Sequence, residues 1–139
     1  MDVLTEQILM GREQFATGEI PALEAYTNSD TMADLLTKAA VKHAANTAIK
    51  FKAGDAWHEV TYAEVGEIVK SISKGLIAND ISLGDKVSIL GDTRPEWTYC
   101  DFGALCAGAC VAPIYQSNSP EECEYVLEHS EAKVVFVEN

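Results

Sequence analysis

Three short apolar runs in the second half of the chain have the character of strands that are buried on both faces. They lie at Val87–Leu90, Val111–Tyr115 and Lys133–Glu138. One helical pattern starts at Pro95, between the first two runs, and another spans about Pro120–Ser130, between the last two. This β-α-β-α-β order predicts adjacent parallel strands joined by right-handed crossovers.

The first half of the chain combines two amphipathic helices with a hairpin pattern. Apolar residues recur at helical spacing over about Met32–His43 and about Tyr62–Ala78. Between them, Ala48–Phe51 and His58–Tyr62 alternate in polarity around the turn residues Lys52–Asp55, which predicts an antiparallel hairpin. The predicted fold class is therefore α/β, with an N-terminal hairpin and helices followed by the parallel sheet unit.

Four positions carry the signature of a capped helix start, a hydroxyl residue followed three positions later by an acid. The pairs are Thr31 and Asp34, Thr61 and Glu64, Thr93 and Glu96, and Ser119 and Glu122. The hydroxyl accepts from an early backbone N–H, and the acid accepts from the N–H of the capping residue. Each pair precedes a periodic apolar run, so the four pairs predict where four helices begin.

The third predicted helix differs from the others because Trp97–Ala109 contains a single charged residue, Asp101. A glycine inside a helix costs about 1 kcal/mol relative to alanine. Gly103 and Gly108 therefore predict a buried helix whose backbone lies close to a neighbour, with Trp97 anchored in the core.

The chain of 139 residues has a formal net charge of -12, which argues against nucleic acid or an anionic membrane surface as a partner. Its length suits one domain, which we expect over residues 30–139, preceded by a leader or arm over residues 1–29. No stretch of about 20 mostly apolar residues predicts a transmembrane segment. The N-terminus carries Asp2 and Glu6 in place of a basic signal-peptide region, so a cytoplasmic location is expected.

Cysteine and histidine form no recognisable metal-binding or nucleophilic motif in the sequence. The cysteines are Cys100, Cys106, Cys110 and Cys123. They include no C-x-x-C pair, and we interpret them as free, buried, small apolar residues. His58 and His129 are accompanied by no G-x-S-x-G motif, so structural roles are favoured. The sequence thus assigns no catalytic, cofactor-binding or metal-binding residue.

A phosphate-binding loop requires glycines together with Lys and Ser/Thr at a helix start, and this pattern is missing. Lys74-Gly75 lies inside a predicted helix, and Gly103–Gly108 contains no lysine. The most distinctive tetrapeptide, Arg94-Pro95-Glu96-Trp97, has two interpretations. Arg94 could meet an anion at a cleft, or the segment is a capped helix start with Trp97 in the core. The second is favoured because tryptophan commonly anchors packing.

Four segments occur in a characteristic order: Val60–Val65, Gly75–Val87, Ile89–Trp97 and Ala104–Tyr115. Together they resemble the N-terminal region of the adenylate-forming enzyme superfamily, which includes acyl-CoA synthetases, luciferases and peptide-synthetase adenylation domains. The likeness continues through Gln116–Val137 and covers about residues 31–139. The run Pro113–Ser119 is most similar to the long-chain fatty acyl-CoA synthetase branch.

The resemblance implies a two-step reaction in which a fatty acid and ATP give acyl-adenylate and pyrophosphate, and CoA then displaces AMP. ATP, CoA and Mg²⁺ are the cofactors that it implies for the parent enzyme, with none bound by this chain alone. The family's phosphate loop, magnesium-binding and ribose-binding motifs have no counterpart here, so we expect an inactive N-terminal fragment of such a ligase. The alternative is a freestanding, non-catalytic binding or dimerisation module of the same fold. A homodimer is compatible with either.

Overall fold

The computed structural model describes residues 29–138, so the leader predicted over residues 1–29 lies almost wholly outside the described part of the chain. The predicted elements are present, and the α/β fold class is confirmed. In chain order they are α1 (Met32–Lys42), β1 (Thr47–Ala53), β2 (Ala56–Thr61), α2 (Tyr62–Ala78), β3 (Lys86–Leu90), α3 (Pro95–Cys106), β4 (Cys110–Ile114), α4 (Pro120–Ser130) and β5 (Val134–Val137).

The predicted hairpin is formed by β1 and β2, which pair antiparallel. Both strands extend further toward the turn than the polarity pattern indicated, because Ala53 pairs with Ala56. Only Gly54 and Asp55 remain as the turn, and Gly54 has a φ of 59°, which glycine adopts without a steric penalty. Two-residue turns of this kind suit the right-handed twist of paired strands.

The three remaining strands form a parallel sheet in the order β4-β3-β5. The parallel direction is as predicted, with Val87 of β3 opposite both Val111 of β4 and Val134 of β5. The prediction of adjacent strands holds for β3 with each neighbour, whereas β4 and β5 lie on opposite sides of it. The central place suits β3 because Val87, Ser88 and Ile89 are all buried.

The amino ends of the strands are closely packed against the helices. A core cluster gathers Leu76, Ile81, Val87, Ala104 and Ala109 there. The loops that precede β3 and β4 also contact each other, because the Gly84 N–H donates to the Gly108 carbonyl over 2.9 Å. At the same end, Lys133 Nζ lies 2.8 Å from Asp85 Oδ2.

The contact between α2 and α3 explains only one of the two glycines assigned to the third helix. A Cβ on Gly103 would lie 2.4 Å from Ile72 Cγ2, so this glycine permits the close approach that the sequence predicted. The prediction that Gly108 lies inside the helix is wrong. Since α3 ends at Cys106, Gly108 belongs to the following turn, where its φ is 82°. None of the helices within residues 29–138 is long and apolar enough to cross a membrane.

Local capping follows the sequence at three of the four predicted helix starts. The Thr31 hydroxyl accepts from the Asp34 N–H at the start of α1. Both reciprocal bonds of a capping box are present at α2 and at α4, between Thr61 and Glu64 and between Ser119 and Glu122. The fourth start, at α3, departs from the prediction and forms part of the candidate site.

Candidate functional site

A cleft of about 380 Å³ opens where β3 and β5 end and α3 begins. Parallel strands present their carboxyl ends at one edge of a sheet, and α/β proteins commonly bind ligands there. Its inner lining is largely apolar, with Ile89, Leu90, Trp97, Cys100, Phe136 and Val137. Its rim carries Asp92, Arg94, Glu96 and Glu138. We call this space the cleft.

Arg94 is the residue at which α3 begins, and this corrects the prediction that Thr93 caps the helix. The N-cap is Arg94, and no side chain caps the helix there. Pro95 explains the difference, because a residue before proline is pushed out of the helical region. Arg94 is accordingly extended, with φ -147° and ψ 166°, and Pro95 takes the first helical position.

The guanidinium of Arg94 is held by carboxylates on two sides. Its Nε donates to Glu96 Oε2 over 2.8 Å, and its Nη2 donates to Glu96 Oε1 over 3.2 Å. Its Nη1 donates to Glu138 Oε1 over 2.5 Å. Glu96 and then Glu138 raise the pKa of Arg94, and Arg94 lowers the pKa of Glu96. At the cleft, Arg94 is thus paired with two carboxylates of the same chain.

Glu138 joins the end of β5 to the loop that follows β3. Its N–H donates to the Leu90 carbonyl over 3.0 Å, and its Oε2 accepts from the Asp92 N–H over 2.8 Å. The Asp92 N–H and then the Arg94 guanidinium lower the pKa of Glu138. A Cβ on Gly91 would lie 3.2 Å from the Glu138 Cβ, so glycine allows the loop to close around this side chain.

Trp97 lies in the wall of the cleft, and its predicted place in the core is therefore only partly right. The side chain is half-buried, whereas Tyr99, Gly103 and Ala104 of the same helix are buried. A tryptophan that is partly exposed at a cleft is typical of binding surfaces. The structure thus places the Arg94–Trp97 segment at an uncapped helix start beside the cleft.

A second space lies between the hairpin and the loop that precedes α3, and we call it the side cavity. It measures about 540 Å³. Phe51, Lys52 and Ala53 of β1 line one side of it. The other side shares Asp92, Arg94, Glu96 and Glu138 with the cleft. The Arg94–Glu138 ion pair therefore borders both spaces.

The cleft holds little reactive chemistry. Burial, followed by the nearby Glu96 carboxylate, raises the pKa of the Cys100 thiol, which disfavours the nucleophilic thiolate. His58 stacks on Phe51 and His129 stacks on Tyr125, with ring centroids 5.5 Å apart in each pair, consistent with structural roles. Across residues 29–138 no cluster of His, Cys, Asp or Glu could hold a metal ion.

The cysteines match their predicted role except at one position. All four are free, and Cys100, Cys106 and Cys123 are half-buried. Cys110 is exposed because it is the first residue of β4, which lies at the edge of the sheet within residues 29–138. Its predicted burial is therefore wrong. Glu138 is the site residue that the sequence did not reveal, since its contacts are with residues more than forty positions away.

Comparison with known proteins identifies the family to which this chain is similar. A sequence profile for "AMP-binding enzyme" matches residues 36–139. The long-chain-fatty-acid–CoA ligase FadD15 of Mycobacterium bovis is 42% identical over 82 residues, which cover 59% of this chain and 14% of that protein. The long-chain-fatty-acid–CoA ligase ACSBG2 of Xenopus laevis is 35% identical over 109 residues, which cover 78% of this chain and 15% of that protein. The chain thus spans about one seventh of the length of these relatives.

Solved structures give the same fold. A fatty acid AMP ligase from Legionella pneumophila superposes with a TM-score of 0.74 at 19% identity, over 84% of this chain and 21% of that one. The N-terminal subdomain of NpsA from Klebsiella oxytoca superposes with a TM-score of 0.66 at 20% identity, over 75% of this chain and 26% of that one. Because the profile match spans most of the sequence and the fold agrees, the chain belongs to the AMP-binding enzyme family.

Proposed function

We propose that this chain is the N-terminal part of a longer AMP-forming long-chain fatty acid–CoA ligase. In the proposed reaction, a fatty acid carboxylate oxygen attacks the α-phosphorus of ATP, and pyrophosphate leaves. The thiol sulfur of CoA then attacks the acyl carbon, and AMP leaves. Mg²⁺ would stabilise the phosphate charge during the first step.

The observation that carries the proposal is the family match over residues 36–139, combined with the names of the relatives. These relatives are ligases of long-chain fatty acids, and each is several times longer than this chain. The parallel sheet adds physical support, since its carboxyl ends form a cleft of the kind that α/β enzymes use.

Within such an enzyme, we propose that these residues serve as scaffold and supply no catalytic group. Adenylation requires cationic groups and Mg²⁺ held against the developing phosphate charge. Among residues 29–138, Arg94 is the cation that lines the cleft, and Glu96 and Glu138 already neutralise it. A net charge of -12 also opposes the approach of ATP. The chain by itself is therefore proposed to be inactive.

We further propose that the reaction takes place in the cytoplasm and that the enzyme can form a homodimer. Microscopy of the tagged product of the whole gene would test the location. Light scattering of purified protein would test the assembly.

The substrate proposal is tested with the protein that the whole gene encodes, incubated with ATP, Mg²⁺, CoA and one acid at a time. The acids are palmitate, octanoate, acetate and benzoate, and mass spectrometry measures the acyl-CoA product. We expect palmitoyl-CoA to form fastest. Preference for acetate or benzoate would reject the long-chain branch while keeping the family. A whole gene product that makes no acyl-CoA or acyl-adenylate, yet forms a stable oligomer, would favour the non-catalytic module.

A further inference from the structure

One stripe of α3 takes no part in either core cluster of residues 29–138. Trp97, Asp101 and Leu105 follow one another at a spacing of four residues, so they lie along one side of the helix. All three are half-buried. The residues by which α3 enters the core clusters lie on its other sides, and they are Ala104 in one cluster and Tyr99, Phe102 and Cys106 in the other. We call Trp97, Asp101 and Leu105 the outer stripe.

Asp101 gives the outer stripe a carboxylate that has no partner within residues 29–138. It is the single charged residue of Trp97–Ala109. Burial alone raises the pKa of its carboxyl, since no hydrogen bond and no nearby charge contributes to the shift. A charged group that loses water without gaining a partner is unfavourable. The surroundings of Asp101 therefore suit a carboxylate only when a cation approaches it.

The charge balance disfavours this chain, or a copy of it, as the source of that cation. Arg94 is the cation closest to Asp101 in the sequence, and its guanidinium is already paired with Glu96 and Glu138. Acidic residues outnumber lysine and arginine by 22 to 10 in the whole sequence. A second copy of these residues would bring the same excess of negative charge, which opposes its approach to a carboxylate. Charge complementarity therefore favours a different partner, one with a basic segment.

We propose that a segment of the parent protein outside residues 1–139 packs along the outer stripe and places a lysine or arginine against Asp101. The inference rests on the proposed function, in which this chain is part of a longer ligase. The relatives have ample length for such a segment, since the matches to this chain cover 14% and 15% of theirs. Trp97 and Leu105 provide the apolar contacts, as aromatic and apolar anchors do at interfaces. Because Trp97 also lines the cleft, the docked segment borders that site.

The test compares two substitutions at Asp101 in two proteins, residues 1–139 and the protein that the whole gene encodes. Asp101→Asn keeps the shape of the side chain and removes its charge, whereas Asp101→Glu keeps the charge. Hydrogen–deuterium exchange with mass spectrometry follows the backbone amides of α3, so the measurement is local and needs no substrate. Glu128→Gln, at an exposed position on α4, controls for the loss of one negative charge.

The two proteins should respond to Asp101→Asn in different ways. In residues 1–139, we expect the exchange of α3 to stay unchanged or become slower, because a neutral side chain tolerates burial better. In the whole protein, we expect it to become about tenfold faster, because the basic residue loses its counter-charge. Asp101→Glu should lie closer to the unsubstituted whole protein than Asp101→Asn does, since the ion pair is kept. Glu128→Gln should leave α3 unchanged in both proteins.

Unchanged exchange of α3 in the whole protein with Asp101→Asn would overturn the inference. Equal acceleration in both proteins would also overturn it, because the partner of Asp101 would then lie within residues 1–139 or in a second copy of them. Equal losses from Asp101→Asn and Asp101→Glu in the whole protein would assign the effect to shape and reject the ion pair. The acyl-CoA products judge the proposed reaction separately, since a whole protein that makes none can still show the difference at Asp101, and one that makes palmitoyl-CoA can still lack it.

Discussion

An ion pair lies at each end of the β3–β5 pair, and the two ends differ in how tightly they are packed. At the amino end, Lys133 Nζ lies 2.8 Å from Asp85 Oδ2. At the carboxyl end, Arg94 Nη1 lies 2.5 Å from Glu138 Oε1. The first bridge joins the residues that directly precede β3 and β5, and the second joins the start of α3 to the residue after β5. The two ends also differ in the packing around each bridge.

Apolar side chains fill the amino end, whereas the carboxyl end opens into a cleft. Ile81 lies in the loop before β3 and is 4% exposed, and Ala109 directly precedes β4 and is 6% exposed. Trp97, the largest side chain at the carboxyl end, is only half-buried and borders about 380 Å³ of space. One sheet thus has one end that is filled by apolar side chains and one end that opens into the cleft.

The largest contrast between the ends should appear when a large side chain is truncated. Leu76→Ala, in the amino-end core, should destabilise the protein by about 2–5 kcal/mol because it leaves a cavity. Trp97→Ala should cost about 1.5–2.5 kcal/mol, roughly half the value for a buried tryptophan. Urea unfolding followed by circular dichroism measures both. An equal or larger loss for Trp97→Ala would mean that the carboxyl end is packed as tightly as the amino end.

Gly108→Ala tests the turn that closes the amino end. The change should destabilise the protein by about 1–2 kcal/mol. The φ of 82° disfavours any side chain at this position, and the added Cβ would lie 3.1 Å from Leu83 Cδ1. The matched control is Gly75→Ala on α2, where the new Cβ meets nothing within 4 Å. The control should stabilise by about 0.5–1 kcal/mol, since alanine favours helix. Thermal unfolding would contradict this account if both variants shifted the midpoint in the same direction.

The two bridges can be compared by their response to acid. Lys133, and then the Ser82 N–H, lower the pKa of Asp85, as the Asp92 N–H and Arg94 do for Glu138. A carboxyl with a lowered pKa contributes full stability above its unfolded pKa of about 4, and the contribution is lost as the pH falls through the folded value. Both side chains should therefore contribute to acid lability.

Asp85→Asn and Glu138→Gln should each flatten the fall in melting temperature between about pH 5 and pH 2. Asp85→Asn should have the larger effect, because its side chain is 19% exposed and that of Glu138 is 29% exposed. Differential scanning calorimetry across this range provides the measurement. Steeper acid denaturation in either variant would reverse the assigned sign.

The smallest effect is expected for Thr93→Ala beside the cleft. Thr93 makes no capping bond, because Arg94 is the N-cap of α3, and the change should lie within about 0.5 kcal/mol of zero. Thr61→Ala, at the capped start of α2, should cost about 1 kcal/mol and serves as the comparison. Similar losses for the two threonines in urea unfolding would restore Thr93 as a cap.

The contrast between Thr61 and Thr93 also shows how far the sequence could predict this structure. Thr61 caps α2 through residues three positions away, so a local pattern suffices. The same pattern fails at Thr93 because Pro95 sets the helix start one residue later. The parallel strands followed from apolar runs, but their order depends on which strand is most buried in the assembled sheet.

The candidate site was harder to predict because its main contacts are distant in sequence. The sequence singles out Arg94 and Trp97 as parts of one distinctive segment, and the structure places both at the cleft. Glu138 reaches Arg94 across 44 positions, and no periodicity or capping pattern encodes such a contact. The role of Glu138 therefore depends on the folded chain, in which the end of β5 meets the loop after β3.

The exchange of labelled pyrophosphate into ATP, in the presence of palmitate and Mg²⁺, tests the central claim most directly. It is measured for residues 1–139 beside the protein encoded by the whole gene. The account predicts exchange by the whole protein and none above a blank by residues 1–139, because Arg94, the cation that lines the cleft among residues 29–138, is already paired with carboxylates. Exchange by residues 1–139 that Arg94→Met abolishes would contradict the account, because the chain would then contain the catalytic site itself.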